Sequence, residues 1–227
     1  MKKNKELIIL IPAYNEEKNI RNVIKSFNKF GDTIVVDDAS KDKTSYIAKK
    51  YSKYYLKNKK NIGYDSSLRK GIKFICTNLN SKKYIITCDG DNQHNPKYIK
   101  KLIFFIKKKN YSLVIGSRDK FNRLSEYLVS IISRLFLGIF DPYSGMKAYK
   151  IQNLRKKIKN FKNLKDTIGL FGILLFNLNE IKDIRISVNI KNKKSSYGED
   201  LITTFYMFFK FLIVFFRIIY LNFKNKI

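Results

Sequence analysis

A mostly parallel, doubly wound α/β sheet flanked by helices, with a hydrophobic helix at the C-terminus, is what this sequence predicts. Three features carry the prediction. Short continuous apolar runs, such as residues 7–11 and 33–37, are bounded by breakers, as strands buried on both faces are. Between them lie segments whose apolar residues recur at helical spacing. Alternation of the two through residue 117 is the pattern of repeated β-α units.

The elements follow in order. Leu7-Ile-Ile-Leu-Ile11 reads as a strand ended by Pro12, and Ile20, Val23, Ile24, Phe27 and Phe30 mark a helix broken at Gly31-Asp32. Residues 33–37 form a second buried strand, 46–51 a short helix and 54–56 a strand. Leu68, Ile72 and Ile75 mark a helix, and 84–88 a strand. Asn95-Pro96 opens a helix carrying Ile99, Leu102, Ile103 and Ile106, and 113–117 is a strand. The second half is less regular. It holds an amphipathic helix over 124–137, a short strand at 145–149, a helix within 168–178, a strand at 184–190 and a basic linker from Lys191 to Lys194. Residues 201–223 are aromatic and aliphatic and long enough to span a bilayer. Lys210 and Arg217 within them argue against an ordinary span, since a cation at the centre costs ~2.5–3.5 kcal/mol on insertion scales. Seven apart, they share one helical face, so a helix in the headgroup plane fits better. The alternative is a core helix whose cations snorkel.

Composition narrows the function classes. The 227 residues carry 47 Lys+Arg against 18 Asp+Glu, a net charge of +29. With 44% hydrophobic residues the chain is not disordered. Two cysteines, Cys76 and Cys88, cannot build a disulfide framework and fit a reducing compartment. One histidine and two cysteines leave no zinc set, so any metal is expected on carboxylate oxygens, as Mg²⁺ or Mn²⁺. So basic a surface attracts anions: nucleic acid, anionic lipid or phosphorylated substrates. No nucleic-acid-binding motif is present, so the expectation is membrane lipid and no nucleic acid. The run at 7–11 is too short for a signal peptide, which puts the expected location at the cytosolic side.

Ligands of parallel α/β sheets bind beyond the carboxyl ends of the strands. Three such ends here carry acids or special turns: Pro12-Ala-Tyr-Asn-Glu16, Asp37-Asp38-Ala-Ser40-Lys-Asp42-Lys-Thr44, and Asp89-Gly90-Asp91-Asn92-Gln93-His94. Carboxylates gathered at adjacent strand ends repel, and a bound cation relieves that repulsion. Asp89 and Asp91 bracket a glycine, a spacing that lets both face one ion that bridges a diphosphate. Alone, Asp-Gly-Asp is equally an ordinary solvated turn. Glu16 and Glu17 suit a first helical turn, and Ser40 and Thr44 suit a helix cap. Cys76 and Cys88 read as small core residues.

Taken in order, these segments, with Asn61-x-Gly63, Gly71, Gly116-Ser117-Arg118 and Asp141-Pro-Tyr-Ser-Gly-Met-Lys147, resemble the family 2 inverting glycosyltransferases. The resemblance is strongest to the dolichyl-phosphate mannose synthase and polyprenyl-phosphate glycosyltransferase branch and covers about residues 6–150. It implies a GT-A fold and a nucleotide-sugar donor. Pro12, Tyr14 and Glu16 would line the nucleotide pocket, with Val36 and Asp38 near the base. Asp89, Gly90 and Asp91 would meet the donor diphosphate, Asp89 and Asp91 through Mg²⁺ or Mn²⁺ with Gln93 as a further ligand. Arg118 would meet a phosphate, and His94 would order the metal loop. The expected organisation is a catalytic domain over 1–200, with a nucleotide-sugar half at 6–117 and an acceptor half at 118–200, then a membrane-associated helix at 201–227.

The acceptor can be argued from acid placement. A sugar hydroxyl needs a general base, whereas a lipid phosphate is already anionic. No acid follows Asp166 within 166–179, and Glu199-Asp200 lies after the last strand. This favours a polyprenyl phosphate over a glycan hydroxyl, although Asp141 could act as a base or simply order the Ser144-Gly145 turn. Arg118, Arg123, Arg134 and Lys193 are the candidate contacts to an acceptor phosphate. The lysine run is equally a solvated linker.

Overall fold

The computed structural model describes residues 3–121, 123–158, 167, 169–188 and 201–224. It contains a seven-stranded sheet in the order β3-β2-β1-β4-β6-β5-β7. The strands are β1 (Leu7–Ala13), β2 (Asp32–Asp37), β3 (Tyr54–Lys57), β4 (Tyr84–Thr87), β5 (Leu113–Arg118), β6 (Lys147–Lys150) and β7 (Ile181–Ile186). All pairings are parallel except those of β6, which runs antiparallel to both β4 and β5.

β1 shows why the central strands form. Every one of its residues is buried, and alternate side chains enter opposite layers. Ile8 and Leu10 join one apolar cluster, while Leu7, Ile9 and Ile11 join the other. Each such side chain contributes about 1.5–3 kcal/mol on burial. The helices α1 (Ile20–Asn28), α2 (Thr44–Tyr51) and α4 (Ile99–Lys108) cover the face of Leu7, Ile9 and Ile11. On the other face lie α3 (Tyr64–Asn78), α5 (Leu124–Leu137), α6 (Ile151–Lys157), α7 (Phe171–Leu175) and α8 (Leu201–Lys224). A short 3-10 turn, Pro96–Tyr98, precedes α4, and the Asn95 carboxamide oxygen accepts the Lys97 N–H at 3.0 Å to open it. Helix α5 ends at Gly138, whose φ of +68° is the left-handed stop that a residue without Cβ adopts readily.

The alternating pattern through residue 117 is therefore present, and the C-terminal apolar segment is a helix. The last strand begins earlier than the sequence suggests, at Ile181 rather than 184, because Ile181 pairs with Leu113 at the start of β5. Its expected end at 189–190, the basic linker with Lys191, Lys193 and Lys194, and Asp166, Glu199 and Asp200 lie outside the described residues. Residues on either side of the expected 200/201 boundary share one core: Met207, Phe211, Val214, Phe215 and Ile218 of α8 are buried. Four of them, Phe211, Val214, Phe215 and Ile218, pack in the cluster that contains Ile8 and Leu10 of β1 and Phe171 of α7.

Strand order reverses between β1 and β4: β2 and β3 lie to one side, and β4, β6, β5 and β7 to the other. The crevice at the carboxyl ends of these two strands is the place such a sheet offers a ligand.

Candidate active site

A cavity of ≈ 510 Å³ occupies that crevice. Pro12, Ala13, Tyr14 and Glu16 from β1 and its following loop, with Asp38, Asn61 and Gly63, line one side. Asp89, Gly90 and Asp91, just past β4, lie at the switch point. Arg118, Arg123, Glu126, Tyr143, Gly169 and Met207 line the other side.

The donor side is built by two loops that hold each other. Asn15 has φ +54°, a conformation asparagine tolerates better than most residues, and its side-chain oxygen accepts the Lys41 N–H at 2.9 Å. The Ser40 hydroxyl accepts the Asn15 N–H at 3.0 Å, the Thr44 hydroxyl the Glu16 N–H at 2.7 Å, and the Asp42 carboxylate the Glu17 N–H at 3.1 Å. Ser40 and Thr44 thus do not cap α2, which has no side-chain cap; they latch onto the neighbouring loop. The paired aspartates divide their work. Asp37 is fully buried and accepts from Ser40 N–H, the Ser45 hydroxyl and the Tyr55 hydroxyl. Asp38 accepts from the Asn58 amide at 2.7 Å and from the N–H groups of Ile62 and Gly63 at 2.9 and 2.8 Å. It thereby shapes the loop that carries Asn61 and Gly63. Val36, expected near the base, is fully buried against α3: a Cβ on Gly71 would lie 3.0 Å from its Cγ2. It supports the pocket from beneath and does not line it, because the strand's alternation turns Val36 into the core.

At the Asp-Gly-Asp turn, the Asp89 N–H donates to His94 Nδ1 at 3.2 Å. That nitrogen therefore holds a lone pair, and the buried ring acts as a brace for the turn. The Asp89 carboxylate accepts the Tyr64 hydroxyl at 2.8 Å. It also presses on Gly145, where a Cβ would lie 2.3 Å from both carboxylate oxygens. Asp91 accepts the Gln93 N–H at 3.0 Å. Burial, and next the charge of Asp89, push the Asp91 carboxyl above the usual carboxylate range. Gln93 contributes that backbone contact but is not on the cavity wall. Among the described residues no cluster of three or more His, Cys, Asp or Glu forms a closed metal cage. Two carboxylates destabilised by each other suit an ion whose remaining ligands are substrate phosphates and water, as Mg²⁺ sites commonly are.

The acceptor side centres on Arg118. Its Nε and Nη2 donate to the two Asp141 oxygens at 2.6 and 3.2 Å, and Nη2 lies 3.4 Å from Glu126. Burial opposes the charge of this guanidinium, but the Asp141 and Glu126 carboxylates overcome it and hold its pKa above the ordinary value. Asp141 is 1% exposed and anchors Arg118, while its backbone carbonyl accepts the Ser144 N–H that closes the turn. Arg123, at the start of α5, is on the wall, whereas Arg134 is exposed about three turns further along the helix and is not on the cavity wall. Lys193 lies outside the described residues. Sequence reasoning missed Tyr64, Glu126 and Met207. Glu126 carried a signal: at helical spacing it falls among Ser125, Val129, Ser133 and Leu137, the inward residues of α5. A carboxylate on that face has a partner inside. Nothing local distinguished Tyr64 or Met207 from core residues.

An α/β sheet with a switch-point cavity and paired acids at a strand end is the architecture of the GT-A type. The profile of glycosyl transferase family 2 matches residues 8–180, and the chain belongs to that family. It is a nucleotide-sugar-dependent glycosyltransferase. An uncharacterized protein of Methanocaldococcus jannaschii is 33% identical over 223 residues, covering 91% of each chain. The UDP-N-acetylglucosamine–dolichyl-phosphate N-acetylglucosaminyltransferase of Methanococcus voltae is 28% identical over 189 residues, 67% of this chain and 72% of that one. Among solved structures, glucosyl-3-phosphoglycerate synthase from Mycobacterium tuberculosis in complex with UDP superposes with a TM-score of 0.67 at 17% identity, over 95% of this chain and 80% of that one. The same enzyme with Mn²⁺, UDP-glucose and glycerol 3-phosphate gives 0.62 at 17% identity, over 84% and 73%. These confirm the GT-A-like fold.

Proposed function

We propose that this enzyme transfers one sugar, with inversion, from a nucleotide-diphosphate donor to a polyprenyl phosphate at the cytosolic face of a membrane. One observation carries the reading: Met207 of the apolar helix α8 and Arg123 of α5 line the same cavity as Asp89 and Asp91. An apolar helix and a cation at the acceptor side suit an amphiphilic anion. The dolichyl-phosphate transferase among the relatives supports the same class of acceptor.

On this reading Pro12, Tyr14, Glu16 and Asp38 frame the nucleotide, and Asp89 and Asp91 hold Mg²⁺ or Mn²⁺, which when bound neutralises the donor diphosphate. A phosphate oxygen of the acceptor forms a bond to the anomeric carbon. The bond from that carbon to the diphosphate breaks, and its electron pair leaves with the nucleotide. No proton needs to move. Arg123 meets the acceptor phosphate, since among the described residues it forms no ion pair. Arg118 is already balanced by Asp141 and Glu126, so its contribution is to shape the acceptor wall. Asp141 is a positioning residue for it.

Asp91→Asn removes one of the two carboxylates facing the diphosphate. Transfer from sugar nucleotide to polyprenyl phosphate should fall at least ~100-fold, consistent with ~100–1000-fold losses when one electrostatic stabiliser is removed. Full activity in the variant would refute the assignment.

A second reading has its own observation. Glu126 places a carboxylate on the acceptor wall, which a hydroxyl acceptor requires as a base. The two separate on Glu126→Gln. A phosphate acceptor predicts transfer within a few-fold of wild type and no change in the acid limb of the pH profile. A hydroxyl acceptor predicts loss of that limb and of most activity.

A further inference from the structure

Helix α8 has two apolar faces. Met207, Phe211, Val214, Phe215 and Ile218 point inward and are buried. Near its end the Asn222 side-chain oxygen accepts the Leu178 N–H at 3.0 Å, so the helix is fastened to the domain from Met207 to Asn222. On the opposite side Phe205, Tyr206, Phe209, Ile213, Phe216 and Tyr220 are all exposed, Ile213 by 66%. Their spacings of one, three and four residues keep them on a single stripe, continued back to Ile202. Lys210 and Arg217 run along one edge of that stripe, with the Lys210 ammonium 5.5 Å from the Tyr206 ring.

Helix α5, packed beside α8 through the Phe136–Phe215 ring contact, repeats the arrangement. Leu124, Tyr127, Leu128, Ile131 and Leu135 form an exposed stripe, Leu135 by 74%, and Arg134 edges it. Two adjacent apolar stripes of this length form a patch far beyond the scattered apolar residues of an ordinary surface. Cations along the edges, on a chain of charge +29, fix the chemistry of the partner: apolar below, anionic at the rim.

We propose that α5 and α8 form one docking face for an anionic lipid bilayer, with α8 lying in the membrane plane and not across it. A crossing α8 would carry its inward face, and the α5, α7 and Leu178 contacts on it, into hydrocarbon. An in-plane α8 keeps those contacts and sets both of its cations at headgroup depth. Met207 is on the cavity wall and its carbonyl accepts the Tyr143 hydroxyl at 3.3 Å, so the docking helix is also part of the acceptor side. The inference deepens the lipid-phosphate reading, on which the biological use of this face rests, yet it is measured without any sugar transfer.

The full chain is floated with vesicles of phosphatidylcholine alone or with 30% phosphatidylglycerol, and sugar-nucleotide binding is measured separately without lipid. Wild type should float with the anionic vesicles, and F209D/I213D should bind them at least tenfold less while keeping its melting temperature and nucleotide binding. Loss of nucleotide binding in wild type would instead overturn the enzymatic reading and leave docking standing. The chain has no tryptophan, so F205W and F216W are clean depth probes. Quenching by brominated lipids should be equal at the two positions if α8 is in plane, whereas a span separates them by ~16 Å in depth. Unequal depths, equal flotation of F209D/I213D, or a wild-type dimer that the same variant dissociates would each overturn the proposal.

Discussion

Asp89 is crowded by two neighbours with opposite tolerances. Tyr64 reaches it with a hydroxyl at 2.8 Å, so Tyr64→Phe leaves the carboxylate in place without its donor. Outer contacts of this kind typically alter metal affinity ~10–100-fold, and the concentration of Mn²⁺ that half-activates transfer should rise about tenfold with little change in stability. Gly145 allows no such gradation. A methyl group there would collide with both Asp89 oxygens, so Gly145→Ala should abolish transfer while a far-ultraviolet circular dichroism spectrum stays native. Lys147 presents a pH-dependent case. Burial pushes its ammonium down to about 8, against the opposing charges of Asp141, Asp65 and Asp89, and its Nζ donates to Gly169 O at 2.9 Å. Between about pH 8 and the ordinary lysine value of ~10.4 the unfolded chain binds more protons than the folded one, so stability rises with pH in that window. Unfolding midpoints for wild type, compared with Lys147→Met, should show the wild type gaining on the variant from pH 7.5 to 10, by at most ~1.4 kcal/mol per pH unit.

Among the elements, β2 shows what sequence reveals and what it withholds. Its burial was legible from five residues, 33–37, and so were the acids at its end. That Asp38 serves the loop at 58–63 was not, because its partners lie 20 or more residues away in sequence and meet it only once the strands pair. Ser40 and Thr44 were misread for the same reason: a cap is a local pattern, whereas a latch between two loops depends on tertiary approach. The start of β2 supplies a stability test. Asp32 is buried and meets Lys3, Lys53 and Lys82 at 2.9, 2.8 and 2.6 Å. Burial raises its carboxyl pKa, but those three ammonium groups outweigh it and hold the group well below the usual range. A carboxyl with a depressed folded value stabilises above its unfolded pKa, and that contribution is lost as pH falls below the ordinary carboxylate range. Asp32→Asn leaves the buried Lys82 ammonium without its counter-charge and should cost about 3 kcal/mol at pH 7 by urea unfolding, the difference from wild type shrinking below about pH 4.

At the scale of the molecule, the fold class, the strand ends that form the site and the C-terminal helix were all legible, since each is written as a local period or an acid at a strand end. The placement of α8 was not. Its two cations favoured a surface helix over a span and left a core helix as the alternative, and only the buried Met207, Phe211 and Ile218 reveal which side faces protein. Ending the chain at residue 200 would uncover the core residues that Phe211 and Ile218 cover and remove Met207 from the cavity wall, so the truncated protein should be recovered in the insoluble fraction and not as an active soluble domain. The position of β6 has a wider bearing. This four-residue strand is inserted between β4 and β5, antiparallel to both, although it follows them in the chain. Until residue 150 has left the ribosome, the nascent sheet therefore has a gap at its middle and two unpaired rows of amides facing each other across it. Cut after residue 117 into a nucleotide half and an acceptor half, the chain would leave each fragment an open edge that only the missing strand closes, so the two separately expressed halves should be recovered insoluble.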